Sequence, residues 1–170
     1  MQRAFQQPGF QWECVGYDVA AEKVQQLRQA HPAPVVWTKF IRDSAENGAW
    51  KAYYDTWNQY RIEPTDPIWN LTIRPEPDDI LIEAPTFGKW TDQLAALAQG
   101  YERLTIAGVA TDCCVLSTVL PAVDAGKYVT VISDACAGAT VDVHEQALNL
   151  MSMLDPMVTI ATTAEVLKPV

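Results

Sequence analysis

Short apolar runs alternate with amphipathic segments along most of the chain. Five runs of four to seven residues are rich in aliphatic or β-branched side chains, as buried strands are, and they cover 35–41, 80–83, 104–110, 128–133 and 157–161. Between them, apolar positions at helical spacing predict helices over 19–30, 91–98, 111–124, 142–154 and 163–167. Strands that alternate with helices form a parallel sheet covered on both faces. The pattern therefore predicts an α/β fold, a three-layer, doubly wound, mostly parallel sheet of the Rossmann-like kind.

The segment 42–78 is the longest connection; it carries four prolines and is rich in Trp and Tyr. A connection of this length is usually functional. Ligands in doubly wound sheets bind beyond the carboxyl ends of the strands, where Trp37 and Trp90 also lie. The aromatic rings either line a pocket for a small planar or apolar substrate or fill the core beneath the loop, and the second interpretation fits most of them.

Side chains near the predicted helix ends indicate how those helices begin. We expect Asp18 and Thr111 to cap their helices, and Asp142 with Glu145 to form a capping-box-like start. Pro121 lies inside one predicted helix and has no N–H for the carbonyl four residues earlier. That helix should therefore kink or break.

The chain has 170 residues, 49% of them hydrophobic, and a net charge of -9 from 12 Lys and Arg against 21 Asp and Glu. This length and composition predict a single folded domain over 1–170. The acidic balance argues against nucleic acid and anionic membranes as partners. No apolar run approaches the roughly 18 residues that span a bilayer, and the first ten residues lack the apolar core of a signal peptide. We therefore expect a cytoplasmic protein whose four cysteines are free thiols.

The most specific local sequence is Ala-Gly-Val-Ala-Thr-Asp-Cys-Cys-Val at 107–115, where a buried strand passes directly into a helix. Cys114 lies in the first helical turn, where the helix dipole and free N–H groups lower a thiol pKa from about 8.5. The same N–H groups can hold an oxyanion, so a nucleophile and its electrostatic partner occur together. The competing interpretation is that Cys113 and Cys114 only fill space beside the sheet. Spacing alone does not decide which of the two faces the cleft.

The segment Gly-Val-Ala-Thr-Asp-Cys-Cys-Val resembles the nucleophile segment of the isochorismatase-like cysteine hydrolases, and the similarity continues through most of the chain. The resemblance implies that Cys114 is the nucleophile. It also implies a cis peptide bond between Val109 and Ala110, which in the family turns backbone N–H groups toward the substrate oxygen. The implied oxyanion donors are the N–H groups of Ala110 and Cys114.

Family members of the amidase type also use a Lys and an Asp. Lys89 is the only lysine in the loop after 80–83, although Ala-Pro stands where the family often has Lys-Pro. The resemblance makes Lys89 the counterpart; the alternative is a solvated surface lysine. If the family Asp is placed just before Met1, Gln2 and Phe5 fall on their family positions. We therefore expect the first strand and its catalytic Asp to be missing from the given residues, through a truncated start or a natural loss of the base.

The preferred hypothesis is a hydrolase of a small-molecule substrate. Cys114 would attack an amide or ureido-type carbon and form a covalent acyl-enzyme, and water would release the acid without a cofactor. The substrate pocket would include Phe5, Trp50 and Trp90. Isochorismatases proper cleave a vinyl ether without needing the Cys, so the retained Cys favours C–N hydrolysis.

Two further functional classes compete with this hypothesis. One is a non-catalytic protein of the same fold that binds a ligand or a partner. The other is a thiol redox protein, which the adjacent Cys113 and Cys114 disfavour because they lack C-x-x-C spacing.

A metal site is not expected. The sequence has only His31 and His144, whereas metal-binding members of the family use an Asp-x-His pair with a further His. Asp112 is expected to brace the turn, and His144 to be structural. Because members of the family are commonly dimers or tetramers, the resemblance implies a homo-oligomer.

Overall fold

All strand pairing is parallel in the computed structural model, which describes residues 1–30 and 34–168. The strands are β1 (Val36–Phe40), β2 (Ile80–Ala84), β3 (Arg103–Val109), β4 (Tyr128–Ala137) and β5 (Val158–Ala161). β1 pairs with β2, and β3, β4 and β5 form a second sheet in that order. The predicted α/β fold class with a parallel sheet is thereby confirmed, while His31 lies outside the described residues.

Helices follow or precede each strand. They are α1 (Arg3–Gln6), α2 (Tyr17–Ala30), α3 (Trp50–Thr56), α4 (Asp92–Leu97), α5 (Leu116–Asp124), α6 (Val141–Ser152) and α7 (Thr163–Val166). A single π-helical turn, Thr111–Val115, precedes α5. Short 3-10 turns cover Asn58–Tyr60, Pro67–Trp69 and Ala98–Gly100.

The caps predicted for α2 and α6 are wrong. α2 begins at Tyr17, because Gly16 with φ +84° turns the chain one residue earlier, and Asp18 lies in the first turn. α6 begins after Thr140, whose side chain accepts from the backbone N–H of Val143 at 3.2 Å. Asp142 therefore lies inside the first turn, where its negative charge interacts favourably with the helix dipole although its side chain does not cap the helix.

Helices cover both faces of the β3–β4–β5 sheet. On one face, Leu27 of α2 packs with Ile132 and Ala135 of β4. On the other face, α5 and α6 pack on the sheet through a cluster that includes Val119, Val131 and Met151. The result is the three-layer arrangement that the alternation of strands and helices predicts.

The two sheets are not hydrogen-bonded to each other. Between β1 and β3 lies a cavity of about 610 Å³, which we call the interstrand groove. Side chains of both strands line it, and at one end it reaches Phe40, Lys89 and Cys114. The groove therefore opens into the region where the strands end.

Aromatic rings form much of the core beside β1 and the long connection. Trp12 stacks on Tyr60 with ring centroids 4.0 Å apart, and Phe40 contacts Trp69 at 5.7 Å. Tyr54, Tyr60 and Trp69 are at most 1% exposed. Most rings of the long connection thus fill the core, as the second interpretation of that segment predicts.

In the described ranges, no helix combines the length and the apolar character that a membrane crossing requires. Every described cysteine is a free thiol, as expected.

Candidate active site

The candidate nucleophile lies in an irregular turn between β3 and α5. The peptide bond between Val109 and Ala110 is cis, as the family resemblance implies. The next residues form a π-helical turn in which Val115 N–H donates to Ala110 C=O at 3.0 Å. The predicted Thr111 cap is wrong, because the Thr111 hydroxyl instead lies 2.8 Å from Nδ1 of His144. Cys114 is therefore held in a widened turn rather than in a capped α-helix.

Buried polar contacts hold this turn against the neighbouring loop. Thr111 is fully buried and reaches α6 through His144. Asp112 accepts a hydrogen bond from the backbone N–H of Ala139 at 3.1 Å. A Cβ on Gly138 would lie 2.8 Å from Oδ1 of Asp112, so only glycine lets the loop approach this closely. Asp112 braces the turn, as expected from the sequence.

The thiol of Cys114 is acidic compared with the other cysteines. A hydrogen bond from Cys113 lowers the pKa of Cys114 most, and the charge of Lys89 and the N–H of Ala110 lower it further, against the opposing effect of burial. Burial raises the pKa of Cys136 to about 12 and also raises that of Cys14. Cys114 is thus the cysteine with the greatest thiolate character.

Cys113 has the opposite character. Its hydrogen bond to Cys114 and its burial raise the pKa of the Cys113 thiol, so it stays protonated and acts as the donor. Their spacing in the sequence does not show which of the two cysteines is the nucleophile, whereas the opposite pKa shifts that their surroundings cause favour Cys114.

Lys89 is buried rather than solvated. It is 4% exposed, and its Nζ donates to the backbone carbonyls of Thr86 and Phe87 and lies 5.1 Å from the ring centroid of Phe40. Burial lowers the pKa of Lys89, and the nearby Cys114 opposes that effect. No carboxylate in residues 1–30 or 34–168 forms an ion pair with it. The surface-lysine alternative is therefore wrong.

The backbone of the loop that carries Lys89 is hydrogen-bonded to a side chain of α5. Lys89 N–H donates to the hydroxyl of Thr118 at 2.9 Å, and that hydroxyl donates to the carbonyl of Cys114 at 2.6 Å. One side-chain oxygen thus connects the backbones of the two proposed catalytic residues.

Pro121 explains a second contact of this loop. It lies within α5 without breaking it, and its missing N–H leaves the carbonyl of Ser117 without its usual helical donor. The backbone of Gly88 packs against this carbonyl, since a Cβ there would lie 2.6 Å from the oxygen. Neither Gly88 nor Thr118 was predicted as a functional residue; the proline inside a helix was the signal in the sequence that could have located this contact.

Aromatic rings lie against the same cluster as the two adjacent cysteines. Trp50 and Tyr53 contact Phe87 with centroid distances of 5.0 and 5.3 Å. Phe5 is buried in that cluster, and Trp50 and Cys114 each pack against it. Trp90 differs: it packs against the cluster beneath α5 and lines the interstrand groove.

Within the two described stretches, no three side chains of the His, Cys, Asp or Glu type converge in a way that could hold a metal ion. The chemical groups at this site are a thiol of lowered pKa, a buried ammonium, backbone N–H groups and aromatic walls.

The sequence matches the model of the isochorismatase domain over residues 1–165. The fold is similar to a cysteine hydrolase from Pseudomonas syringae pv. phaseolicola 1448A, with a TM-score of 0.85 and 20% identity over 98% of this chain and 87% of that one. It is also similar to an isochorismatase family protein from Desulfovibrio vulgaris subsp. vulgaris str. Hildenborough, with a TM-score of 0.83 and 18% identity over 98% and 92% of the two chains.

One curated relative aligns at higher identity over a short stretch. It is a nicotinamidase from Escherichia coli (strain K12), 38% identical over 64 residues. The alignment spans 38% of this chain and 30% of that relative. The chain therefore matches less than a third of the relative's length.

Proposed function

The chain belongs to the isochorismatase family of hydrolases, and on this premise we propose that it hydrolyses an amide or ureido-type C–N bond of a small molecule through Cys114. The observation that carries the proposal is the thiol of lowered pKa beside a buried lysine that has no carboxylate partner among the described residues. The nicotinamidase relative supports an amide as the bond that is cleaved.

The first step is attack by the Cys114 thiolate on the carbonyl carbon. A tetrahedral intermediate forms, and its oxygen takes up negative charge that backbone N–H groups can stabilise. Cys114 N–H is a candidate donor, since it lies between Cys113 N–H and Val115 N–H, which both donate to the Ala110 carbonyl. The C–N bond then breaks and leaves a thioester on Cys114.

Lys89 can serve both proton transfers. Its ammonium gives a proton to the departing nitrogen, and the neutral amine then takes a proton from the water that attacks the thioester. The acid is released and the thiolate and ammonium are restored, so protons balance over the cycle. Burial favours this use, because it lowers the pKa of Lys89 toward the range where a group exchanges protons near neutral pH.

The family resemblance implies that an Asp acts as the base, and that role stays a prediction. If such an Asp takes part, Lys89 would hold the thiolate and the oxyanion rather than carry the water proton.

Thiol labelling and an activity screen together test the proposal. Iodoacetamide should modify Cys114 faster than Cys14 or Cys136 at pH 7, as read by peptide mass spectrometry. Small amides, ureides and isochorismate should then be screened with the wild type and C114A, and a thioester adduct sought by intact mass. C136A is the matched control, since it removes a buried thiol of raised pKa and keeps both Cys114 and the Cys113 that hydrogen-bonds to it.

Three outcomes would contradict the proposal. Labelling of Cys114 no faster than that of the buried cysteines would argue against an activated thiol. Turnover of isochorismate that persists in C114A would favour vinyl-ether hydrolysis, and tight ligand binding without turnover would favour the non-catalytic alternative.

A further inference from the structure

A second cavity lies at the carboxyl ends of β1 and β2, apart from the interstrand groove. It has a volume of about 210 Å³, and we call it the strand-end pocket; its lining residues are Asp43, Asn47, Trp50, Tyr54 and Pro85. The connection that leaves β1 carries Asp43, and Pro85 directly follows β2. Ligands of parallel sheets bind beyond the carboxyl ends of the strands, so the pocket lies where a ligand is expected.

The hydroxyl of Tyr54 opens into this pocket without a partner. Tyr54 is 1% exposed, and no hydrogen bond formed within residues 1–30 and 34–168 includes its hydroxyl. In those two stretches, Trp12 Nε1 is the one completely enclosed side-chain polar atom that lacks a hydrogen-bond partner. The Tyr54 oxygen therefore borders open space, and the pocket that Tyr54 lines is that space. Burial raises the pKa of Tyr54 to about 12, so the hydroxyl is neutral at pH 7.

Asp43 gives the pocket a negative charge. Its carboxylate accepts a hydrogen bond from Ala45 N–H at 2.9 Å, and no ion pair between described residues includes it. The neighbouring Arg42 does not neutralise this charge, because its Nε and Nη2 both donate to the carboxylate of Glu46. A carboxylate thus stands unpaired beside the neutral Tyr54 hydroxyl.

The remaining lining groups suit a flat cation. The half-buried Trp50 ring stacks on the ring of Tyr54 with centroids 5.9 Å apart, and the face of an indole attracts cations. The guanidinium of Arg42 already lies over the Tyr54 ring, 5.4 Å from its centroid. An anion in the pocket would meet the charge of Asp43, and an apolar group would leave the Tyr54 hydroxyl unpaired.

We propose that the strand-end pocket binds the guanidinium group of a small organic cation. The group donates N–H bonds to the carboxylate of Asp43 and the hydroxyl of Tyr54, and stacks on the face of Trp50. The pocket volume is about seven times the share of one water in the liquid, which accommodates such a group with a short alkyl substituent. The inference does not rest on the proposed hydrolase function.

A titration with methylguanidinium, followed by NMR, tests the inference on the whole 170-residue protein. We expect saturable shifts of the Asn47 side-chain amide and the Trp50 indole N–H in about 0.15 M NaCl, which screens unspecific surface attraction. The matched control is methylurea, which has nearly the same shape and no charge. It should bind about 10-fold more weakly, because hydrogen bonds to charged groups are the stronger ones.

Two pairs of variants test the pocket from the protein side. D43N keeps an acceptor for Ala45 N–H and removes the charge, so methylguanidinium should bind about 10-fold more weakly. Its control is D78N, which removes an exposed carboxylate before β2, at the opposite end of the strand from Pro85.

Y54F removes only the hydroxyl and should weaken binding about 5-fold. Its control is Y101F, at a side chain that is 46% exposed. Because Asp43 is exposed, D43N keeps the test valid if Y54F does not fold.

Four results would overturn the inference. They are the absence of saturable shifts with methylguanidinium, equal affinity for methylurea, tighter binding of acetate than of methylguanidinium, and a loss of affinity in D78N as large as that in D43N. The third would make the pocket an anion site governed by Arg42, and the fourth would reduce binding to the net charge of the surface.

Discussion

The sheets on the two sides of the interstrand groove are stabilised in different ways. In the β3–β4–β5 sheet, aliphatic side chains such as Val129 and Val131 are almost fully buried between helices. Beside the β1–β2 sheet the core is made of rings, and Trp12 alone contacts Phe5, Phe40 and Tyr60 with centroids within 5.7 Å. One side packs by interlocking small branched groups, the other by large planar ones.

The candidate site takes one part from each side. The strand-to-helix turn after β3 supplies Cys114, while the loop after β2 supplies Lys89. The loop is attached to α5 through the hydrogen bond from Lys89 N–H to Thr118 and the close approach of Gly88. The electrostatics of the Cys114 thiol therefore depend on how well the two sides dock, as well as on the turn that carries Cys114.

Removing the largest fully buried side chain should destabilise the ring-packed side more than the other side. Trp69 is 1% exposed and its Nε1 donates to Glu63 C=O at 2.9 Å. We expect W69A to lower the free energy of unfolding by about 3–5 kcal/mol, because it leaves a large cavity among rings. Urea unfolding gives the energy, and amide exchange should accelerate in β1 more than in β4.

The matched variant V131A removes a fully buried side chain from the other sheet. It should cost about 2 kcal/mol, the transfer energy of the lost methyl groups plus a small cavity. If W69A accelerated amide exchange in β4 as strongly as in β1, the two sides would unfold as one cooperative unit, which would contradict the claim that they are stabilised separately.

Adding one methyl group should disturb the docking itself. In G88A the new Cβ would lie 2.6 Å from the carbonyl oxygen of Ser117, so the loop must move. We expect a loss of about 1–3 kcal/mol in unfolding free energy and slower iodoacetamide labelling of Cys114 at pH 7, because Lys89 moves with the loop. G100A is the control, since a Cβ at Gly100 meets nothing within 4 Å. An equal loss of unfolding free energy in G100A would contradict the explanation that G88A acts through the contact between the loop and α5.

Removing the charge of Lys89 tests the electrostatic link directly. The positive charge lowers the pKa of Cys114, so K89M should raise that pKa and shift the pH dependence of labelling upward. The sign follows because the thiolate reacts, and less of it exists at a given pH below a higher pKa. A shift of one unit would make labelling at pH 7 about 5-fold slower, because the thiolate fraction of a thiol that titrates near this pH falls from about one half to about one tenth. K39M serves as the control, since Lys39 pairs with Glu83 at 3.0 Å on the β1–β2 side. An unchanged pH profile in K89M would contradict the prediction and show that Cys113 and the turn alone lower the pKa of Cys114.

Sequence analysis was most accurate where one pattern controls the structure. Apolar runs placed the five strands to within a few residues, and the motif at 107–115 placed Cys114 at a turn after a buried strand. Helix starts were less accurate, because Thr140 and Asp142 are both good capping residues and only the backbone course selects one.

Contacts across the molecule could not be predicted from local patterns. Nothing in the sequence near Thr111 indicates that its hydroxyl pairs with His144 instead of capping the helix. Trp50 and Trp90 are the same residue type near strand ends, yet Trp50 packs against the cluster of rings beside β1 and Trp90 against the aliphatic cluster of the other sheet. The assignment of Cys113 as donor and Cys114 as acceptor likewise depends on where Lys89 and the Ala110 N–H lie in space.

The smallest expected effect lies in the turn that carries the nucleophile. T111V keeps the shape of a fully buried side chain and removes its hydrogen bond to Nδ1 of His144. Because His144 is only partly buried, water can replace the lost partner, and we expect a cost of about 0.5–1.5 kcal/mol by urea unfolding. T159V, at an exposed position of β5, should change stability by less than about 0.5 kcal/mol. A loss in T111V as large as that in W69A would show that the β3–β4–β5 side also depends on a single polar contact, and the contrast between the two sides would no longer hold.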